Sequence, residues 1–154
     1  MDTIVGPPAR TWETARGSVA TWAPASGVYV TRVVGHMEAE IANRIISAGN
    51  DVIARDGKLI AFHDWSAVTG YDSACRQSLT QWGYEIRGQV ERVHILITNK
   101  LVRMGVSVAS IVLLGMIVSH DEAATFEAQL QAAIDARKKA PRARRPSGFG
   151  SGML

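Results

Sequence analysis

Two short apolar runs, KLIAFH (Lys58–His63) and RVHILIT (Arg92–Thr98), constrain this chain more than any other feature. Each is too short for a helix and too uniformly apolar for a strand with one wet face. Both therefore read as strands covered on both sides. Amphipathic stretches precede and follow the first of them. Met37, Ile41, Ile45, Ala48 and Val52 mark an earlier helix that ends at Asp56-Gly57, and Cys75, Leu79, Trp82 and Ile86 mark the next, which ends at Gly88. Strands alternating with helices in this way predict parallel pairing through right-handed crossovers.

Upstream, Ser18–Ala23 reads as a strand, Pro24–Gly27 as a turn and VYVTRVV (Val28–Val34) as the returning strand of an antiparallel hairpin, closed by Gly35. Residues 1–11 read as an irregular lead-in. Downstream, Asn99 is placed to cap a helix over Lys100–Leu114, Gly115 breaks it, and Met116–Ser119 forms a last strand. Ser119 and Glu122 have the spacing of a capping box. The final helix carries Phe126, Leu130, Ala133 and Ile134 on one face and stops before Pro141. The order is β-β-α-β-α-β-α-β-α. The expected fold class is α/β, a mixed and mostly parallel sheet with an N-terminal hairpin and about four helices. The expected domain spans 12–136, followed by a basic, flexible tail over 137–154.

Charge sharpens that division. The 154-residue chain has a net charge of +3, yet residues 137–154 contribute +6 through Arg137, Lys138, Lys139, Arg142, Arg144 and Arg145, leaving −3 for the rest. A basic isoelectric point is then weak evidence for nucleic-acid binding by the domain; only the tail has the charge to meet nucleic acid or an acidic membrane surface. Cys75 is the only cysteine, which precludes an intramolecular disulfide. The N-terminus has no basic start followed by an apolar run. The most apolar stretch, Val106–Val118, covers 13 residues where a spanning helix needs about 20. A cytoplasmic location is expected.

Ligands of open α/β sheets bind at the carboxyl ends of the parallel strands. His36, His63, Asp64, Asn99 and His120 all fall at predicted strand ends. The histidines match no local metal motif, and neither a G-x-S-x-G elbow nor a glycine-rich phosphate loop is present. Ser73 beside His63 or His36, or a reactive Cys75, would need support the sequence lacks; Cys75 falls on the apolar stripe of its helix. No catalytic residue, cofactor or metal is assigned. The more informative segment is DWSAVTGYDSA (Asp64–Ala74), read as a loop between a buried strand and a helix. Asp72 can cap that helix, and a phosphate on Ser73 would meet its free amides and dipole.

The loop and the strand order resemble STAS domains, and within them the SpoIIAA-like (STAS/SEC14-like) branch. The likeness covers about residues 12–136 and rests on VYVTRVVGHMEAE, DWSAVTGYDSA, RVHILIT and KLVRMGVSVAS before a helix containing Phe126. In the anti-sigma-factor antagonists of that fold a serine preceded by aspartate is phosphorylated by a partner kinase, and Asp72-Ser73 falls on that position. Cys75 and Arg76 stand where the family has glycine and leucine. The resemblance implies a non-enzymatic module that binds a protein partner, with lipid or nucleotide binding in some members.

The expectation is a regulatory or scaffold module that meets a protein partner through Asp64, Trp65, Ser66, Tyr71 and Asp72, switched by phosphorylation of Ser73. Two alternatives stand beside it. One is a carrier of a small ligand, lipid or nucleotide, between the 100–114 helix and the sheet, because that helix is apolar nearly all round; the same surplus would serve a homodimer face. The other is a tether to nucleic acid or membrane through the tail.

Overall fold

The computed structural model describes residues 1–100, 102–106 and 115–139. Six strands form one sheet whose spatial order follows the chain: β1 (Arg10–Glu13), β2 (Gly17–Ala25), β3 (Val28–Met37), β4 (Leu59–Tyr71), β5 (Val90–Leu96) and β6 (Ile117–His120). The first two pairings are antiparallel and the remaining three parallel. Helices α1 (Asp2–Val5), α2 (Ala39–Asp56), α3 (Ser73–Glu85) and α4 (Ala123–Lys139), a 3-10 turn at Arg87–Gln89 and helical residues 102–106 are the other elements among the described residues. This is the mixed, mostly parallel α/β sheet with an N-terminal hairpin that the patterning predicts.

Alternation along the strands divides the core into two layers. Tyr29, Val33, Leu59, Ala61, Trp65 and Ile95 face α2, α3 and residues 102–106. Val28, Val30, Phe62 and Leu96 face Phe126, Leu130 and Ile134 of α4, with Ile4 and Val5 of α1 at the margin. The predicted apolar stripes of α2 and α4 are buried, Ala48 and Ala133 only partly, but Met37, expected to open the first stripe, is the last residue of β3, and α2 begins at Ala39. Gly57 ends α2 in the left-handed conformation (φ 80°), its N–H bonded to the Ile53 carbonyl, as Asp-Gly at that point requires. No helix among the described residues is long and apolar enough to cross a membrane.

Several local expectations are corrected. Residues 1–11 are not an irregular lead-in: they contain α1 and the start of β1, which pairs with β2 through Arg10↔Thr21 and Thr11↔Ala20. The hairpin turns on Ser26-Gly27 alone, because Pro24 and Ala25 stay in β2 across a bulge. Gly35 does not end β3. Its positive φ (87°) lets the backbone pass close to Arg16 and Gly17, and the strand continues to Met37. Ser119 lies inside β6, so no capping box forms; α4 begins at Ala123. That helix runs on to Lys139, and Arg137 pairs with Glu91, so the expected tail starts later than 137. The rest of the tail call, at 140–154, and residues 101 and 107–114 of the predicted 100–114 helix lie outside the described residues. Asn99 does cap that helix, accepting from the Val102 amide at 3.3 Å.

Candidate functional site

The segment expected to be a loop, 64–71, is the second half of β4. It finds its partner in the extension of β3, with Val34 opposite Ala67, His36 opposite Gly70 and Met37 opposite Tyr71. On its other side Thr98 donates to the Ser66 carbonyl (2.9 Å) and Asn99 to the Thr69 carbonyl (3.3 Å). With the backbone held on both sides, Trp65 and Val68, three residues apart, both turn into the core because the register with β3 shifts between Asp64 and Ala67, and Ser66 turns away from it. Trp65, expected on an exposed loop, is 7% exposed. Asp64 accepts from the amide and hydroxyl of Ser66 (3.1 and 2.6 Å) and from Arg32 (3.3 Å). Arg32 also pairs with Asp2 at 3.0 Å and lies over the Trp22 ring.

Ser73 is where the sequence puts it: the first residue of α3, exposed, just past the carboxyl end of β4. Asp72 occupies the N-cap position, but its carboxylate does not cap the helix. It turns instead to His36 Nε2 (2.7 Å) and Arg16 (3.4 Å). The His36 bond, reinforced by the Arg16 charge, holds the Asp72 carboxyl below its ordinary range. Arg16 belongs to the β1–β2 turn, where Glu38 accepts from the Thr14 hydroxyl and the Arg16 amide. Those two hydrogen bonds likewise lower Glu38. The rim at Ser73 is thus built from three distant segments, and Arg16, which no motif flags, is part of it.

Beneath that rim a cavity of about 100 Å³ lies between α3, residues 102–106 and the sheet. Tyr71, Cys75, Leu79, Ile86, Val102 and Ile117 are among its lining, and the lining is almost wholly apolar. Three buried side chains with hydrogen-bonding nitrogens are in the lining: Trp82, whose N–H is taken by Asn50, and Trp65 and His63, their rings stacked at 5.0 Å and 25°. His63 Nδ1 shares a 2.7 Å hydrogen bond with Thr31 Oγ1, and burial pushes its pKa down to about 3, so the imidazole is neutral. Trp65 Nε1 is buried with no hydrogen-bond partner, and among the described residues no other buried side-chain nitrogen or oxygen is left that way. An unpaired buried donor costs about 1–3 kcal/mol. Tyr71, assigned to a partner surface from sequence, is half-buried over Gly105, where a Cβ would stand 2.8 Å from its hydroxyl oxygen.

The histidines expected at one edge do not converge. His36 serves Asp72, His63 lies in the α2–α3 layer, and His120 lies on the α4 side, where its Nε2 is 3.0 Å from Nδ1 of the buried His94. Phe62 stacks on His94 and Phe126 meets His120 edge-on. Burial lowers both pKa values, His94 to about 4. Sequence reading misses this pair, because His94 sits inside a run that reads only as a buried strand. Among the described residues no group of three or more His, Cys, Asp or Glu is gathered to hold a metal. Cys75 is 1% exposed and its thiol is pushed up to about 12, first by burial and then by the Asp72 charge.

The fold is SpoIIAA-like. The chain is similar in structure to an uncharacterized protein of the DUF3478 family with a SpoIIAA-like fold from Shewanella loihica PV-4, at a TM-score of 0.58 and 16% sequence identity, over 77% of this chain and 98% of that one. The sequence matches no protein-family model and no curated protein.

Proposed function

We propose that this chain is a non-enzymatic, STAS-like binding module that holds a small apolar molecule between α3 and the sheet. The observation that carries this reading is the largely apolar cavity itself, with the side chains of Trp65 and Tyr71 in its lining. Aromatic side chains that would otherwise serve an exposed protein-binding loop are turned toward it. Largely apolar cavities with a few polar groups are the usual form of a small-molecule site. The neighbouring groups favour binding over catalysis: the Cys75 thiol is buried and far from ionised, and the His36 and His63 rings are engaged with Asp72 and Thr31. A single buried cysteine suits a reducing cytoplasm. Native mass spectrometry of protein purified from its host, together with thermal shifts across a panel of uncharged apolar compounds, tests the reading. A retained mass or a saturable shift is the expected result. A bare chain mass with no shift from any compound would end it.

A second reading concerns the rim. Ser73 is exposed at the mouth of α3, and the Asp72 carboxylate is drawn off to His36 and Arg16, so the first amides of the helix have no side-chain cap. That favours a protein partner meeting Asp72, Ser73 and Ser66, with a phosphate on Ser73 as the switch. Partner capture from the host with wild type and Ser73→Asp should differ several-fold. Equal recovery, with no phosphate on Ser73 by mass mapping, would remove it.

A further inference from the structure

We infer that the molecule held between α3 and the sheet is a small organic carboxylate, with a compact apolar body inside the cavity and its carboxylate at the boundary on Arg76. The inference rests on the cavity reading above and adds the charge of the occupant.

Arg76 stands apart from the other charged groups. Among the described residues, every other half-buried Asp, Glu, Lys or Arg has an ion-pair partner, as Arg32 has Asp2 and Asp64, and Arg137 has Glu91. Arg76 is half-buried too, yet its side chain makes neither an ion pair nor a hydrogen bond. Its natural partner is Asp72, because an acid four residues before an arginine meets it along a helix. That carboxylate is turned away to His36 (2.7 Å) and Arg16 (3.4 Å). The other acid of α3, Glu85, accepts from Gln81. With no partner to hold it, the guanidinium is free to turn to an anion at the edge of the cavity.

The lining has a place for one negative charge and no more. Arg76 is its only charged side chain. His63 is kept neutral by burial, and the Cys75 thiol is pushed up to about 12. The Trp82 N–H is taken by Asn50, and the Trp65 N–H is sealed off from anything the size of water. Thr80 and Tyr71 complete the polar lining, and their hydroxyls have no hydrogen-bond partner among the described residues. Thr80 follows Arg76 by four residues, so the two share one face of α3. A planar guanidinium fork matches a carboxylate in shape and charge. Because Arg76 still reaches solvent, the ion stays at the boundary and avoids the cost of burying a charge. The rest of the lining, including Leu79, Ile86 and Ile117, is apolar. A cavity of about 100 Å³ is closer to a benzene-binding space, on the order of 150 Å³, than to one for a long acyl chain.

The test uses three probes of nearly equal shape on the full chain near neutral pH: benzoate, an anion; benzamide, which is neutral; and benzamidine, a cation. Binding is read by NMR titration of the Leu79 and Val102 methyl signals. Benzoate should bind about tenfold more tightly than benzamide, as one charge-assisted contact open to solvent allows, and benzamidine should bind most weakly. Added salt should shrink the preference. Arg76→Gln should bring benzoate down to benzamide. Arg92→Gln removes the same charge from an exposed residue outside the lining and should leave the ratio as it is. If benzamide or benzamidine binds wild type as tightly as benzoate, the inference fails while the cavity reading survives. The same holds if the ratio survives Arg76→Gln, if it falls as far in Arg92→Gln, or if only uncharged compounds bind. If neither the three probes nor any uncharged compound binds, the cavity reading fails and takes the inference with it. The charge series is read on wild type, so the outcome does not depend on how well Arg76→Gln folds.

Discussion

The indole of Trp82 occupies the place where a side chain on Gly49 would stand: a Cβ at that position would lie 2.5 Å from Trp82 Cη2 and 3.2 Å from Tyr29 Cε2. Gly49 is thus a notch in α2 that lets α3 dock, and Asn50 next to it accepts the Trp82 N–H at 2.8 Å.

Gly49→Ala should therefore destabilise the protein despite favouring the helix. Alanine contributes about 1 kcal/mol in helix propensity, but forcing a methyl into a packed aromatic contact costs typically 1–3 kcal/mol. A lower urea midpoint is expected, and Trp82→Leu in the Gly49→Ala background should recover part of the loss, since the two residues share one space. A Gly49→Ala protein as stable as wild type would mean that the helices part without cost.

Stability should fall as the pH drops from about 6.5 toward 3. His63 is buried neutral with its pKa lowered to about 3, while in the unfolded chain it titrates near 6.5. The unfolded state therefore binds the extra proton in that window. Stability is fully present above about pH 6.5 and is lost as the pH falls toward the folded value, by up to about 1.4 kcal/mol per pH unit for one proton. His94 and His120, also lowered, add to the slope. Urea midpoints measured from pH 7 to pH 4 should show this slope, and His63→Gln should flatten it. An unchanged slope in that variant would mean that His63 is not the neutral buried group.

Which parts of this were legible in the sequence follows from how local the deciding forces are. The strand KLIAFH, the Asp-Gly stop of α2 and the stripe of α4 depend on spacing and turn chemistry within a few residues, and all three appear as expected. The run Asp64–Tyr71 does not. Its composition, with Asp64, Ser66, Thr69 and Gly70, reads as a loop, and only pairing with β3 more than thirty residues earlier, together with hydrogen bonds from Thr98 and Asn99, draws it out as strand. The pairing takes Trp65 from the surface, where a loop would leave it, into the core beside the cavity. Ser73 falls at the start of α3 as the Asp-Ser pattern predicts, although the Asp72 carboxylate turns to His36 and Arg16 instead of capping the helix. Its companions Arg16 and His36 come from far segments and could not be paired with Asp72 by spacing.

The His36–Asp72 contact should show itself on the acid limb. Asp72 has a depressed folded pKa, so its contribution is present above the ordinary carboxylate value and is lost as the pH falls through the folded value. Asp72→Asn should remove that part of the acid sensitivity, and His36→Ala should mimic it. Because both Arg16 and Asp72 reach solvent, added salt should weaken the effect in wild type. Carboxyl titration by NMR gives the direct reading: an Asp72 value unmoved by His36→Ala would show that the histidine does not hold it.

Cys75 should resist alkylation until the protein opens. Only the thiolate reacts, and with the thiol pushed up to about 12 the ionised fraction near pH 8 is roughly a thousandfold below that of a free cysteine. Burial at 1% exposure removes access as well. Iodoacetamide should therefore label the native chain slowly and the urea-unfolded chain at the rate of a free thiol, with the native rate tracking local or global opening. Since Cys75 lines the same cavity as Trp65, an uncharged apolar compound that saturates the cavity should slow native labelling further, by stabilising the closed form in proportion to its occupancy. Native labelling as fast as in urea would place the thiol at the surface and remove the wall on which the cavity depends.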